Sequence, residues 1–298
     1  PIANNAAKRW NGNPPATDTE YWPHGEYDIN TTQNLGDYFA SQYGFESTGL
    51  RSTPPYRVNI ALSHSGTGVK AVSEKRVDIG NSSAPVAEEL PDVSEQTLDN
   101  FVDHVVGVDG QPIVVSEDVY EAGVTGVTAE QLRRIYRKEI TNWSELGGPD
   151  RNIRVIARAE GSGTDTAFRA NLYGDPDAPI NPDVRKGQNQ QVSQLVTQSD
   201  NAIAYLALAF VEPGGAVRPI SLEVEGTVYE LGKNLGAKEY PLSRDLHMYT
   251  WKGTSRKEAA FINMILSEFG QDICVAANNY FKLPPDRRET ERAKLPEL

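Results

Sequence analysis

The sequence predicts an α/β fold, on three observations. Short alternating runs of β-branched residues recur along the chain, such runs empty into loops of glycine and hydroxyl residues, and segments with helical spacing follow. Strands that feed helices in this order need the layered packing of an α/β domain. At roughly 100–200 residues per domain, the 298 residues make one large domain or two medium ones.

In chain order, the first 57 residues are punctuated by Trp10-Asn11-Gly12-Asn13-Pro14-Pro15 and Thr53-Pro54-Pro55. Only 35–43 reads as helical, and the rest is expected to be a long surface excursion. Val58, Ile60 and Leu62 alternate with polar or small residues, which predicts a strand over 57–62. That run enters Ser63-His64-Ser65-Gly66-Thr67-Gly68, with a helix expected from Val69. The short apolar segment 77–80 then delivers Asn81-Ser82-Ser83. Between 105 and 115, Gly107, Gly110 and Pro112 break a β-branched stretch into two strand pieces with a joint. Thr128-Ala129-Glu130-Gln131 is a capping box ahead of a helix carrying Leu132, Ile135 and Tyr136, and 143–148 closes that unit with a turn. Ile153, Val155 and Ala157 alternate as a strand that runs into Arg158-Ala159-Glu160-Gly161-Ser162-Gly163-Thr164 and a helix bearing Phe168 and Leu172. A strand follows Tyr240-Pro241-Leu242-Ser243-Arg244. The last clear helix starts at Thr254 or Ser255, carries Ile262, Ile265, Leu266 and Phe269, and is expected to end at Gly270.

Composition narrows the function classes. With 29 basic and 41 acidic side chains the net charge is −12, which argues against nucleic-acid binding. No apolar run approaches the ~20 residues of a membrane helix. The one cysteine, Cys274, excludes an internal disulfide framework and a Cys-rich metal site, and it reads as a buried filler. His24, His64, His104 and His247 are scattered without ligand spacing, so no metal and no cofactor are expected. Gly161-Ser162-Gly163 lacks the outer glycines of a nucleophile elbow, and neither a Walker-type lysine nor a complete Gly-x-Gly-x-x-Gly is found. The chain opens at Pro1-Ile2-Ala3 without a signal pattern, so any export signal is expected to lie upstream.

Glycine and hydroxyl residues at strand ends aim free backbone N–H groups and O–H donors at an oxyanion. In Gly161-Ser162-Gly163-Thr164 the glycines admit an anion to the main chain, while Ser162 and Thr164 cap the helix or donate to the ligand. Arg158 adds a planar fork suited to a tetrahedral oxyanion, and Glu160 is expected to hold that fork in place. Singly, each loop reads as an ordinary helix start. Ser65-Gly66-Thr67 and Ser82-Ser83 at two further strand ends make the combination a binding site.

Together, 65–70, 77–85, 140–148, 158–164 and 240–244 resemble the substrate-binding proteins of phosphate ABC transporters, most closely those of halophilic archaea. The resemblance implies a type II, periplasmic-binding-protein-like fold with a ligand cleft between two lobes, residues 1–111 plus 246–298 and residues 112–245. It implies capture of inorganic phosphate by hinge closure about 110–115 and 240–246, without catalysis. Delivery to an ABC permease, a monomeric state and an extracytoplasmic, membrane-tethered location follow from it. Ser65 and the Arg158, Ser162, Gly163, Thr164 run are carried over as ligand residues, with Gly66, Thr67, Ser82 and Ser83 beside them and Glu160 in support. Ser83 stands where many relatives place an aspartate that accepts the hydrogen of protonated phosphate, which leaves sulfate, molybdate or tungstate as alternative ligands. Pro1 aligns just after a strand and ligand loop that relatives carry, so part of the site is expected to be missing unless 27–32 supplies it. Outside transport, the rivals are a secreted phosphatase-like enzyme and a surface sensor.

Overall fold

The computed structural model describes residues 2–12, 27, 29, 34–50, 53–61, 65–212, 214–230 and 240–297. Leu62, Ser63, His24, His64 and 30–32 lie outside the described residues. In chain order the elements are α1 (Ile2–Trp10), α2 (Leu35–Ser41), α3 (Ser65–Ser73), β1 (Gly80–Ser82), α4 (Val86–Glu89), α5 (Glu95–Leu98), β2 (Phe101–Gly110), β3 (Ile113–Ser116), α6 (Glu117–Glu121), β4 (Gly126–Thr128) and α7 (Ala129–Tyr136). There follow β5 (Arg154–Arg158), α8 (Gly163–Tyr173), β6 (Val184–Lys186), α9 (Asn189–Thr197), β7 (Ala202–Tyr205), β8 (Val217–Val224), β9 (Thr227–Tyr229), β10 (Ser243–Trp251), α10 (Arg256–Leu266), α11 (Glu268–Gly270) and α12 (Pro285–Arg292). The fold is α/β.

The chain forms two compact units, Pro1–Gly107 with Asp245–Leu298 and Val108–Arg244. In the first unit the strands run β1-β10-β2, with Ser82 opposite His247 and Gly80 opposite Tyr249 in antiparallel register. Val69 and Val72 of α3 pack on Tyr249. α10 is buried from Ala259 to Leu266 on every face, so it is the central helix of this unit. Ser255 and Glu258 form its capping box. No single helix among the described residues is long and apolar enough to cross a membrane.

In the second unit the strand order is β4-β8-β3-β7-β5-β6, with β9 on β8. β5 lies parallel between β7 and β6, and Val155, Ile156 and Ala157 are all buried, because helices cover both faces of a parallel strand. Val192 and Val196 of α9 close one face over Val114, Ile156 and Ala204. α7 begins at the capping box expected at Thr128, whose hydroxyl accepts from the Gln131 N–H at 3.0 Å.

Four local expectations need correction. The N-terminal stretch holds a second helix, α1, whose Ile2, Ala6 and Trp10 fall four residues apart and are buried, so this part is core and not a surface excursion. Residues 57–61 form no strand. The peptide groups of Val58 are paired instead by the Asn11 side chain, which donates to Val58 O at 2.8 Å and accepts from Val58 N–H at 3.0 Å. The helix expected from Val69 begins at Ser65, which turns the first glycine loop into a helical turn. α10 stops at Leu266, because Ser267 is extended (ψ 164°) and recaps α11 through its hydroxyl, and Gly270 is an ordinary helical residue at φ −64°.

Candidate functional site

In the second unit, Arg158 is the last residue of β5. Gly161 takes a left-handed φ of +72°, which would cost a residue with a side chain about 1–2 kcal/mol, and reverses the chain toward α8. Ser162 is the cap: its Oγ accepts from the Asp165 N–H at 3.2 Å. The Gly163 and Thr164 N–H groups then stand at the helix start with no intrahelical acceptor.

Arg158 is 6% exposed. Its Nε donates to Lys186 O at 3.3 Å, Nη1 to Thr164 Oγ1 at 2.9 Å and Nη2 to Gly187 O at 2.8 Å. All three acceptors are neutral, and no carboxylate pairs with this cation among the described residues. One N–H on each terminal nitrogen is left over, and these are charged donors of the kind a tetrahedral oxyanion takes. Burial, then the like charge of Arg244, holds the guanidinium below its ordinary range.

Arg244, Asp109 and Gln111 complete the cluster. Arg244 donates twice to Asp109 Oδ2, at 2.8 Å from Nη2 and 3.1 Å from Nε, and its Nη2 also donates to Thr164 Oγ1 at 3.2 Å. Its Nη1 is buried without a partner among the described residues. Burial pushes the Asp109 carboxyl up, with Arg244 pulling the other way. Gln111 Nε2 donates to Thr164 O at 2.9 Å, so both ends of Thr164 are held.

A second layer fixes α8 against β5. Asp165, fully buried, accepts from Tyr205 Oη at 2.5 Å and from Arg185 Nη1 at 3.2 Å, and pairs with Arg169 at 2.9 Å. Tyr205 Oη in turn accepts from the Arg158 N–H at 3.2 Å, and its ring stacks on Phe168 at 3.7 Å.

In the first unit, Ser65 opens α3 and its Oγ lies 3.2 Å from Ser83 Oγ, while also accepting from the Ser83 N–H at 3.2 Å. Two glycines permit this. A Cβ on Gly80 would stand 2.6 Å from Gly68 O, so α3 and β1 approach closer than any side chain allows. Gly66 and Thr67 lie in the first turn of α3, and the Glu89 carboxylate sits 3.1 Å from where a Cβ on Gly66 would be.

Arg158, Ser162, Gly163 and Thr164 are thus assembled in one unit, and Ser65, Gly66, Thr67 and Ser83 in the other. Two roles change. Glu160 does not hold Arg158: it is 73% exposed and pairs with Arg185 at 3.1 Å, because backbone carbonyls of Lys186 and Gly187 already orient the arginine. Ser82 is a turn residue, its hydroxyl spent on Ala84 O at 2.7 Å and on the Ala84 N–H at 3.1 Å. Arg244 is visible in sequence only as the end of 240–244, and Asp109 and Gln111 carry no local signal, since their partners lie 135 and 53 residues away. Trp143 and Trp251 pack, as their indoles predict, and Cys274 is a buried filler whose thiol is pushed up to about 12 by burial. No cluster of metal-ligating side chains occurs among the described residues.

Comparison with known proteins adds to this geometry. The PBP superfamily domain matches residues 32–268. The phosphate-binding protein PstS of Bacillus subtilis is 30% identical over 231 residues, 78% of this chain and 73% of that protein. Among solved structures, a substrate-binding protein of Clostridium perfringens with bound phosphate superposes with a TM-score of 0.63 at 24% identity, covering 84% of this chain and 95% of that one. An ABC-type phosphate transport receptor from Vibrio cholerae gives 0.58 at 23% identity, with 84% and 95% covered.

Proposed function

The chain belongs to the phosphate-binding protein family of the PBP superfamily, and from that premise we propose that it captures inorganic phosphate as the substrate-binding component of an ABC importer. The observation that carries this reading is Arg158, a buried cation whose partners are all neutral. A buried charge costs several kcal/mol unless paired, and a like charge at Arg244 raises that cost. An oxyanion on the two N–H groups left over supplies a direct countercharge, which the Asp165 carboxylate, near but not hydrogen-bonded to this arginine, does not. The helix start at Gly163 and Thr164 adds N–H donors to the same anion, and Ser162 keeps its O–H free to donate.

In this reading Ser65, Gly66, Thr67 and Ser83 hold the other side of the ligand. The two lobes close about the crossings at 110–115 and 240–246. The closed form docks on a membrane permease from an extracytoplasmic position, as a monomer on a membrane tether. At net charge −12 the long-range field repels anions and is screened beyond about 8 Å, so short-range donors decide affinity. The chain acts by binding and release, without covalent chemistry. A neutral Ser83 favours one second reading, a less selective binder of tetrahedral oxyanions, because a hydroxyl rotates to donate where a carboxylate cannot.

Calorimetry with phosphate, sulfate, molybdate and tungstate, alongside a phosphoester turnover assay, tests this. Saturable phosphate binding without turnover supports the importer component. Preference for another anion sinks the phosphate reading, and turnover sinks the binding reading.

A further inference from the structure

We propose that Arg244 is a positioning residue for the bound anion, holding the Thr164 hydroxyl as an obligate donor. The inference rests on the reading of 158–164 as an oxyanion site. A threonine hydroxyl has one hydrogen and two acceptor lone pairs. Both lone pairs of Thr164 Oγ1 are taken, by Arg158 Nη1 at 2.9 Å and Arg244 Nη2 at 3.2 Å. The hydroxyl hydrogen is left with the remaining direction, so this oxygen gives a hydrogen bond to a ligand and accepts none from it. Donation by two cations also polarises the O–H and strengthens what it gives.

Arg244 is built to hold that place. Its side chain is 10% exposed, and two bonds to the 1%-exposed Asp109 carboxylate fix the fork. Gln111 fixes the Thr164 backbone from another side. Arg158 alone leaves one lone pair open, and a hydroxyl with an open lone pair is free to turn and accept. The anion therefore gives no hydrogen bond to Thr164, and any proton it carries is donated to another group.

A double-mutant cycle read by phosphate calorimetry tests the assignment. Arg244→Lys keeps the charge and the Asp109 pair while losing the fork, and should weaken phosphate binding about tenfold. In a Thr164→Val background the same change should cost less than about twofold, and in a Thr164→Ser background the tenfold loss should return. Asp109→Asn/Arg244→Gln, which removes the ion pair as a unit, should show the same dependence on residue 164 and serves if Arg244→Lys does not fold. Equal losses in the wild-type and Thr164→Val backgrounds would reduce Arg244 to general electrostatics or stability and overturn the proposal, as would an unchanged dissociation constant. Wild type that binds no phosphate would overturn the functional reading, and this one with it. Wild type that binds, loses affinity in Arg158→Ala and ignores Arg244 would overturn this inference alone.

Discussion

Around the Thr164 hydroxyl the hydrogen bonds are charge-assisted, given by Arg158 and by Arg244, which the buried Asp109 holds. Around Ser65 they join neutral hydroxyls and peptide groups, and what is unusual there is backbone proximity. The two clusters differ in what holds them together. The charged cluster rests on an inner scaffold of buried partners, Asp165 and Tyr205. The neutral hydroxyls rest on two glycines that let a helix meet a strand.

The comparison breaks most visibly at Arg158. Arg158→Ala should weaken phosphate binding by roughly 2–5 kcal/mol, the range for losing a desolvated, charge-assisted contact. A dissociation constant within threefold of wild type would place the binding energy elsewhere. Next comes acid. His104 is fully buried and lowered to about 4, by burial and then by the Lys294 cation. Its folded value lies below the unfolded ~6.5, so the unfolded chain binds the proton first; the contribution is present above pH ~6.5 and is lost as pH falls through about 4. The loss is about 3 kcal/mol over that window, and His104→Gln should flatten the urea midpoint between pH 6.5 and 4. An equally steep profile in the variant would assign the acid sensitivity to another group.

A smaller effect tests the neutral side. Gly80→Ala drives a Cβ against Gly68 O and should destabilise by about 1–3 kcal/mol, seen as a lower urea midpoint. Its effect on Ser65–Ser83 geometry should appear as weaker phosphate binding. The smallest is Ser83→Ala, which removes one neutral hydroxyl contact and should cost about 0.5–1.5 kcal/mol of phosphate affinity. A loss as large as that of Arg158→Ala would erase the contrast between the two sides.

Much of this architecture is legible where the signal is local. The Thr128 and Ser255 caps, the α2 core helix and the Gly161 turn each announce themselves within a few residues. α1 escapes a pattern reading because its apolar stripe is carried largely by alanines, which weigh little until Trp10. The 57–62 alternation misleads because alternation reports which faces are buried, and Val58 meets an asparagine side chain where a ladder partner is expected. At the site, Arg158 and Thr164 are readable from a glycine-rich run. Their supports are not, since Asp109 reaches Arg244, and Tyr205 reaches Asp165, across long stretches of chain.

Asn11 ties two distant stretches of main chain together. An extended segment with open N–H and C=O groups is a template on which a foreign strand zips up. By engaging the N–H and C=O of Val58 with its own amide, Asn11 leaves that residue no open pair to offer. Trp10, whose indole N–H donates to Tyr56 O at 2.8 Å, holds the neighbouring peptide in the same way. The beginning of the chain thus shields a stretch of main chain nearly fifty residues further on.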